Sequence, residues 1–311
     1  SYMAVNIATI LTCYNRIEKT KRCLESLFMA EKAYNSACDA EKKIVLSIFL
    51  TDDACNDGTS DMVREVCKNH ELHIINGNGK CYWAGGMRLA WSEALKEKDR
   101  WNFYLLLNDD IKMKSNVFEE LFYTHNYSVS TLGKPGIYSG ITCDIDNDKI
   151  ITYSGDVFES NAKAKWRRLG PSEKPQIVHQ TNANILLIAT EDVDNVGIFH
   201  QGYIHGCADY DYCMSVAKQG FTTLITAKVC GECENDHIED GLETKRLMQM
   251  PLKERKAYVY APTHSDKDYL LFVKRNIPRK YLISWTLRKI RMFAPHLYYQ
   301  ICKARKIDTY T

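Results

Sequence analysis

From the amino terminus to Asp110, short apolar runs alternate with amphipathic stretches. Val5–Leu11, Ile44–Thr51, Leu72–Ile75 and Trp101–Leu107 read as strands, largely apolar or rich in β-branched residues, as parallel strands buried on both faces are. The intervening segments predict helices. One follows Asn15, which is spaced to cap it with Glu18, and carries Leu24, Leu27 and Phe28 on one face. Ser60–Asn69 is a second, and Ala84–Lys98, with Met87, Trp91 and Leu95 one helical turn apart, is a third. This is the βαβ rhythm of a doubly wound half-domain. Beyond Asp110 the order loosens: a helix over Val117–Tyr127, strands over Gly136–Cys143, Ile150–Phe158 and Ile177–Ile188, a helix over Asp209–Gln219 stopped by Gly220, and a strand over Thr222–Lys228. The chain ends in helices, Asp266–Asn276 and Arg279–Ile307, the latter broken at Pro295.

The 311 residues, 45% apolar and 26% charged, suit one large domain or two modest ones. No stretch approaches the roughly 18 apolar residues of a spanning helix, and Val5–Leu11 is too short for a leader and runs into a polar loop. The 12 cysteines are scattered, several inside apolar or helical stretches, which points to free thiols in a reducing cytoplasm rather than a disulfide framework. Charge changes the picture more. Net charge is only +2, yet Tyr269–Ile307 holds ten Lys and Arg and no acid, so the remainder carries −8. Such asymmetry implies an anionic partner surface. With Trp285, Phe293, Leu297, Tyr298 and Tyr299 among those cations, the tail reads as basic aromatic helices of the kind that lie at an anionic membrane surface. No nucleic-acid readout motif accompanies it. A packed helix with a solvated basic face is the alternative.

The candidate chemistry lies where strands end. The fourth strand stops abruptly in Asn108, Asp109 and Asp110, at the edge where open α/β sheets bind ligands. Asn108 and Asp110, two apart, can share one hard cation, which would hold a substrate diphosphate; a plain Asn/Asp turn is the simpler use. The first strand ends in Thr12-Cys13-Tyr14-Asn15-Arg16 and the second in Thr51-Asp52-Asp53, followed by Asp57-Gly58-Thr59, all at the same edge. Asp52 and Asp53 there can accept from a base N–H or a ribose hydroxyl.

Taken in this order and spacing, these segments resemble the family 2 inverting glycosyltransferases of the GT-A fold, of the bacterial surface-polysaccharide, rhamnosyltransferase-like type. The stretch Gly77–Ala90, with its glycines and Trp83, is similar to one in polysaccharide-building members. The resemblance covers roughly residues 4 to 240. It implies an α/β GT-A fold, a doubly wound mixed sheet with helices on both faces, over residues 1–264, with a nucleotide-binding half to 110, an acceptor half from 111, and a C-terminal helical extension over 265–311. It implies a UDP- or dTDP-sugar donor, Mn2+ or Mg2+, a saccharide acceptor, lipid-linked, and inversion at the anomeric carbon. Carried onto this chain, Thr12, Tyr14, Asn15, Arg16, Asp52 and Asp53 stand at nucleoside-contacting positions, and Asn108 and Asp110 at the outer positions of the metal motif, Asn replacing the usual Asp. Asp109 would lie nearer the donor sugar, and Gly79, Trp83, Gly85 and Gly86 would let the backbone approach it. Arg88 stands where relatives often carry Asn. Asp209, in Gly206–Cys213, aligns with the catalytic base, although Ala208 replaces the usual preceding Glu; Asp211, two residues on, would act or orient a loop. His237 would complete the cation site with Asn108 and Asp110.

Rival uses of the same residues remain. Cys230, Cys233 and His237 have zinc-like spacing, with Cys207 or Cys213 as fourth ligand. His200 and His205 read as loop or packing residues, and Lys163–Arg168 as a basic surface loop. At the level of function, a nucleotidyltransferase making an activated sugar would want a Gly-rich basic loop after the first strand, which Thr12–Arg16 lacks. A non-catalytic nucleotide-sugar-binding module is motivated by Ala208.

Overall fold

The computed structural model describes residues 3–160, 165–237, 241–264 and 266–305. Four parallel strands, β1 (Val5–Cys13), β2 (Ile44–Asp52), β3 (Glu71–Asn76) and β4 (Phe103–Leu107), form one half of the sheet, connected through α1 (Ile17–Ala37), α2 (Thr59–Val66) and α3 (Tyr82–Leu95). The second half adds β5 (Lys112–Met113), α4 (Val117–Tyr127), β6 (Ile137–Asp144), β7 (Ile151–Tyr153), β8 (Gly155–Ser160), β9 (Lys165–Leu169), β10 (Gln176–Val178), β11 (Ile185–Ala189), α5 (Thr190–Val196), α6 (Ala208–Lys218) and β12 (Thr223–Cys233). Helices α7 (Leu242–Gln249), α8 (Leu252–Tyr260), α9 (Asp266–Asn276), α10 (Tyr281–Phe293) and α11 (Pro295–Arg305) close the chain. The strand order is β10-β12-β6-β11-β4-β1-β2-β3, with β11 antiparallel between β4 and β6; β5 and β7 pair with β12 and β6. The result is a mixed sheet with helices on both faces.

Alternation along the strands sorts the core. Ile7, Leu11, Phe103, Leu105 and Leu107 face Leu24, Leu27, Val63 and Phe118 of α1, α2 and α4. Ala8, Ile10, Tyr104 and Leu106 face Met87, Trp91, Tyr212 and Phe272 of α3, α6 and α9. Both sides are buried, which is why the central strands lack a polar face. None of the twelve cysteines is in a disulfide, and most are buried.

The differences from the expected elements have local causes. Asn15 does not cap α1: it is left-handed (φ 48°), its side chain accepts the Asn56 N–H, and Asp57 accepts from Ile17 instead. Ile177–Ile188 is two strands, because Thr181 and Asn184 turn polar side chains inward and, with the half-buried Asn182, break the apolar run. Ile150–Phe158 divides at Ser154, whose hydroxyl donates to Leu169. The basic loop is instead strand β9, paired with β8, with Trp166 against Phe158 and Arg168 on Asp156; residues 163 and 164 lie outside the described residues. Helices α7 and α8 escape the apolar pattern because little beyond Leu247 and Val259 reaches the core. The basic tail is also less free than its composition suggests: Arg288 and Arg291 are buried and paired with Asp266 and Glu243, and Arg275 pairs with Asp211, while Lys306 and Ile307 lie outside the described residues. Among the described residues, no helix is long and apolar enough to cross a membrane.

Candidate active site

Register brings the site together. Cys13 of β1 pairs with Asp52 of β2, and Ile10 pairs with Leu106 of β4, so the loops after all three strands leave one edge of the sheet. Among the described residues, four non-glycine residues have positive φ: Asn15, Ala54, Tyr82 and Cys207. Three stand in loops at this edge and Tyr82 opens α3 beside it. Each such residue costs of order 1–3 kcal/mol, and such costs concentrate where side chains must be aimed for function.

At the β1–β2 side, the two aspartates hold their own loops. Asp52 accepts the Cys55 N–H at 2.8 Å and the Ser60 hydroxyl at 2.6 Å. Burial works against its charge, but the hydrogen bonds from Ser60 and then Cys55 prevail and keep it below the usual carboxylate range. Asp53 accepts from Gly79 at 2.7 Å and from Cys81 at 3.0 Å, fixing the loop that enters α3. Gly79 is left-handed there (φ 84°), a conformation glycine adopts without strain. Gly86 is required by contact: a Cβ on it would fall 2.0 Å from Thr12 Oγ1. Thr51 donates to the Gly86 carbonyl at 2.7 Å, while the Gly85 N–H reaches the Ile204 carbonyl at 3.4 Å. Tyr14, 56% exposed, is the open side chain of this group.

At the end of β4 the three polar residues diverge. Asn108 Oδ1 accepts the Trp83 indole N–H at 2.7 Å, and its amide donates to Asn184. Asp109 is buried, with its oxygens taken by Arg16 and by Thr20 at 2.9 Å. The donor-sugar contact expected of Asp109 is thus not the one the structure gives it; it turns inward and anchors the first turn of α1, as the alternation of side chains at a strand end dictates. Arg16 spans Asp109 and Asp110, its second contact 3.5 Å long. Burial opposes its charge, but Asp109 and then Asp110 hold the guanidinium protonated. Asp110 Oδ1 is buried and has no hydrogen-bond partner. Such an orphaned acceptor calls for an explanation, and an ion is one of the few available.

His237 packs on Tyr153 with ring centroids 4.9 Å apart, and burial, with charge from Cys233, Asp236 and Asp110, pushes the Tyr153 hydroxyl up to about 12. His237 Nε2 contacts the Thr152 carbonyl. A carbonyl only accepts, so Nε2 is the donor there and Nδ1 is the ring nitrogen left to ligate a metal. The zinc alternative does not assemble. Cys230 and Cys233 are buried against Thr226, Thr142 and Thr152, and among the described residues they form no close group of three ligand atoms with His237. Among the described residues, the one close group of three such ligand atoms is Cys13, Asp52 and Cys55, within 4.8 Å. Burial pushes both of those thiols upward, which favours the protonated, non-ligating form.

The opposite wall is α6. Asp209 accepts the Ala183 N–H and the Tyr210 N–H, each at 3.0 Å, and Ala183 adjoins the Asn184 that meets Asn108. Burial raises Asp209 to about 6, against the hydrogen bonds that lower it. A carboxylate poised there is ionised at neutral pH yet basic enough to take a proton. Asp211 points the other way, bonded to Tyr203, Arg275 and Asn276, and ties α6 to α9. His205 accepts from Trp83 at 3.4 Å, and burial lowers its pKa, so it acts as a neutral packing residue; His200 accepts from Gly202 and packs on Tyr203. Arg88 donates to the His200 carbonyl.

Sequence reasoning missed four contributors. Asn184 and Asn182 were legible as the polar break in an apolar run. Asp268 of α9 had no such signal: it accepts from the N–H groups of Ile204, His205 and Gly206, each at 2.9 Å, and fixes the loop before α6. Asp236 is a charge near Arg16 that the sequence reading passed over.

No protein-family model matches the chain, and no curated protein does. Solved structures do. GalNAc-T7 with UDP, GalNAc and Mn2+ superposes with a TM-score of 0.59 at 12% identity, over 98% of this chain, which spans only 56% of that one. The mannosyltransferase PcManGT from Pyrobaculum calidifontis, in complex with GDP-Man and Mn2+, gives 0.52 at 13%, over 96% of this chain and 73% of its own. TarS 1–349 of S. aureus gives 0.51 at 11%, over 91% and 73%. These likenesses give the fold: a mixed α/β sheet flanked by helices, as in GT-A glycosyltransferases.

Proposed function

We propose that the chain is an inverting, cation-dependent glycosyltransferase of the hexosyltransferase type, taking one sugar from a UDP- or dTDP-sugar to a saccharide hydroxyl. The observation that carries this reading is a chain of contacts along one sheet edge. Asp53 holds the loop to α3, Trp83 of α3 meets Asn108, Asn108 meets Asn184, and the adjoining Ala183 meets Asp209. Two of the solved structures that share the fold, GalNAc-T7 and PcManGT, contain UDP or GDP-Man with Mn2+, which supports the same donor class here.

In this reading Tyr14, Asp52 and the 77–86 loop receive the nucleoside, and Trp83 with Gly85 and Gly86 borders the donor sugar. Asn108, Asp110 and His237 would hold Mn2+ or Mg2+; the orphaned Asp110 oxygen fits that use, as does a His237 ring whose Nε2 is taken up by the Thr152 carbonyl. When bound, such a cation neutralises charge developing on the leaving diphosphate. Asp209 takes the acceptor hydroxyl proton as the new C–O bond forms, and the bond from the anomeric carbon to the diphosphate breaks on the opposite face. Asn182 and Tyr210, 3.2 Å apart beside Asp209, border the acceptor. The acceptor we infer is a growing, lipid-linked surface polysaccharide, met in the cytoplasm at the inner face of the cell membrane. Ala208 does not count against catalysis: it is the first residue of α6 and is fully buried in the core.

A thermal-shift screen of nucleotide-sugars with and without Mn2+, followed by transfer assays with the responding donor, tests this. Donor binding without transfer to any saccharide acceptor and without hydrolysis would favour the binding-module reading. Pyrophosphate release from a nucleoside triphosphate and a sugar phosphate would favour the nucleotidyltransferase.

A further inference from the structure

Helix α10 buries two arginines and exposes several large apolar side chains. On the inner side of α10, Arg288 and Arg291 are buried, paired with Asp266 and Glu243, and Arg288 lies over the Tyr269 ring at 4.0 Å. On the outer side stand Leu282 (72% exposed), Ile283 (56%), Trp285 (42%) and Phe293 (53%), joined by Leu297 of α11 (53%) and Tyr260 of α8 (56%). Single exposed apolar residues are ordinary, but an outward face built of them while Arg288 and Arg291 turn inward is not. The periodicity is deliberate: Leu282, Trp285, Lys289 and Phe293 recur at helical spacing along one stripe.

The rim of this patch is cationic. Lys289 Nζ sits 5.6 Å from the Trp285 ring and 5.5 Å from the Tyr260 ring, and Lys256 Nζ sits 5.4 Å from the Phe293 ring. Arg279 and Lys280 lead into α10. No Asp or Glu occurs from Tyr269 to Arg305. The acids packed beneath, Asp266 and Glu243, are turned inward, and Glu254 lies two residues from Lys256, on the far side of α8.

We propose that this face docks on an anionic lipid bilayer, with Leu282, Ile283, Trp285 and Phe293 entering the headgroup region and Lys256, Lys289, Arg279 and Lys280 meeting lipid phosphates. An apolar stripe flanked by lysines and free of acids matches a negative, half-apolar surface, and it matches neither water nor a second copy of the same cationic face. The cations that composition would have credited, Arg288 and Arg291, take no part. The inference stands apart from the donor reading, because it needs neither nucleotide nor cation.

Vesicle flotation of the full chain tests it, with phosphatidylcholine vesicles against vesicles containing phosphatidylglycerol. The expected result is at least tenfold stronger binding to the anionic vesicles, weakened by salt. Ile283→Ser with Trp285→Ser and Phe293→Ser should remove binding at any salt while the melting temperature is retained, since all three are exposed. Lys256→Glu with Lys289→Glu should remove it chiefly at low salt. Equal recovery of the wild type and the serine variant, or no binding to either vesicle, overturns the proposal. So does a wild-type dimer in solution that the serine variant dissolves, which would assign the face to self-association.

Discussion

Asp209→Asn separates the two properties of this carboxylate, its chemistry and its burial. As the base, it should lose about 10²–10⁴-fold in kcat, the usual worth of general base catalysis, while the donor still binds. The wild-type rate should rise as pH passes about 6, where Asp209 ionises. Burial gives a second readout that needs no acceptor. The folded pKa lies above the ordinary 3.8, so the native state keeps its proton to higher pH than the unfolded chain. The corresponding stability is fully present below 3.8, declines as pH rises through about 6, and is constant above. The whole change is roughly 3 kcal/mol, of which about 1.4 kcal/mol falls between pH 5 and pH 8. Asn cannot titrate, and its imperfect match to the two N–H donors costs the same at every pH. The melting temperature of Asp209→Asn relative to wild type should therefore climb by roughly 2–4 °C from pH 5 to pH 8. Parallel melting profiles for the two proteins would refute the burial argument, and an undiminished kcat would remove Asp209 from the base role.

Other expectations follow from the same geometry. Asp110→Asn should abolish any gain in UDP affinity on adding Mn2+, as read by calorimetry, without altering the fold seen by circular dichroism. Gly86→Ala should cost about 1–3 kcal/mol or more in urea unfolding, because the new methyl meets Thr12 across the β1–α3 contact. Asp268→Ala leaves three N–H groups without their carboxylate, and should destabilise by a few kcal/mol and raise KM through the displaced 204–206 loop. Asp192, raised to about 7 by burial and secondarily by Glu191, has no partner for either oxygen. Its stability contribution is lost as pH rises through 7, so Asp192→Asn should gain on wild type at pH 8 and not at pH 5 in thermal melts.

Much of the fold was legible because it rests on local periodicity. The first four strands and their helices follow from apolar runs and helical spacing, with boundaries a few residues off. What stayed hidden depends on tertiary partners. Asp57, not Asn15, caps α1, since the left-handed Asn15 is directed to Asn56. Asp109 looked like its neighbours in sequence, but the pleat sends it inward to Arg16 and Thr20. Asp268 lies 59 residues after Asp209 in sequence and acts on its loop only because α9 folds back on α6. In the tail, composition disclosed the charge but not its direction; packing decides that Arg288 and Arg291 face inward.

Isothermal titration of UDP into the wild-type chain, with Mn2+ and then with EDTA, addresses the central claim most directly. Saturable binding that weakens at least tenfold on chelation is the result the sheet-edge site requires. No nucleotide binding in either condition, or equal affinity in both, would contradict it.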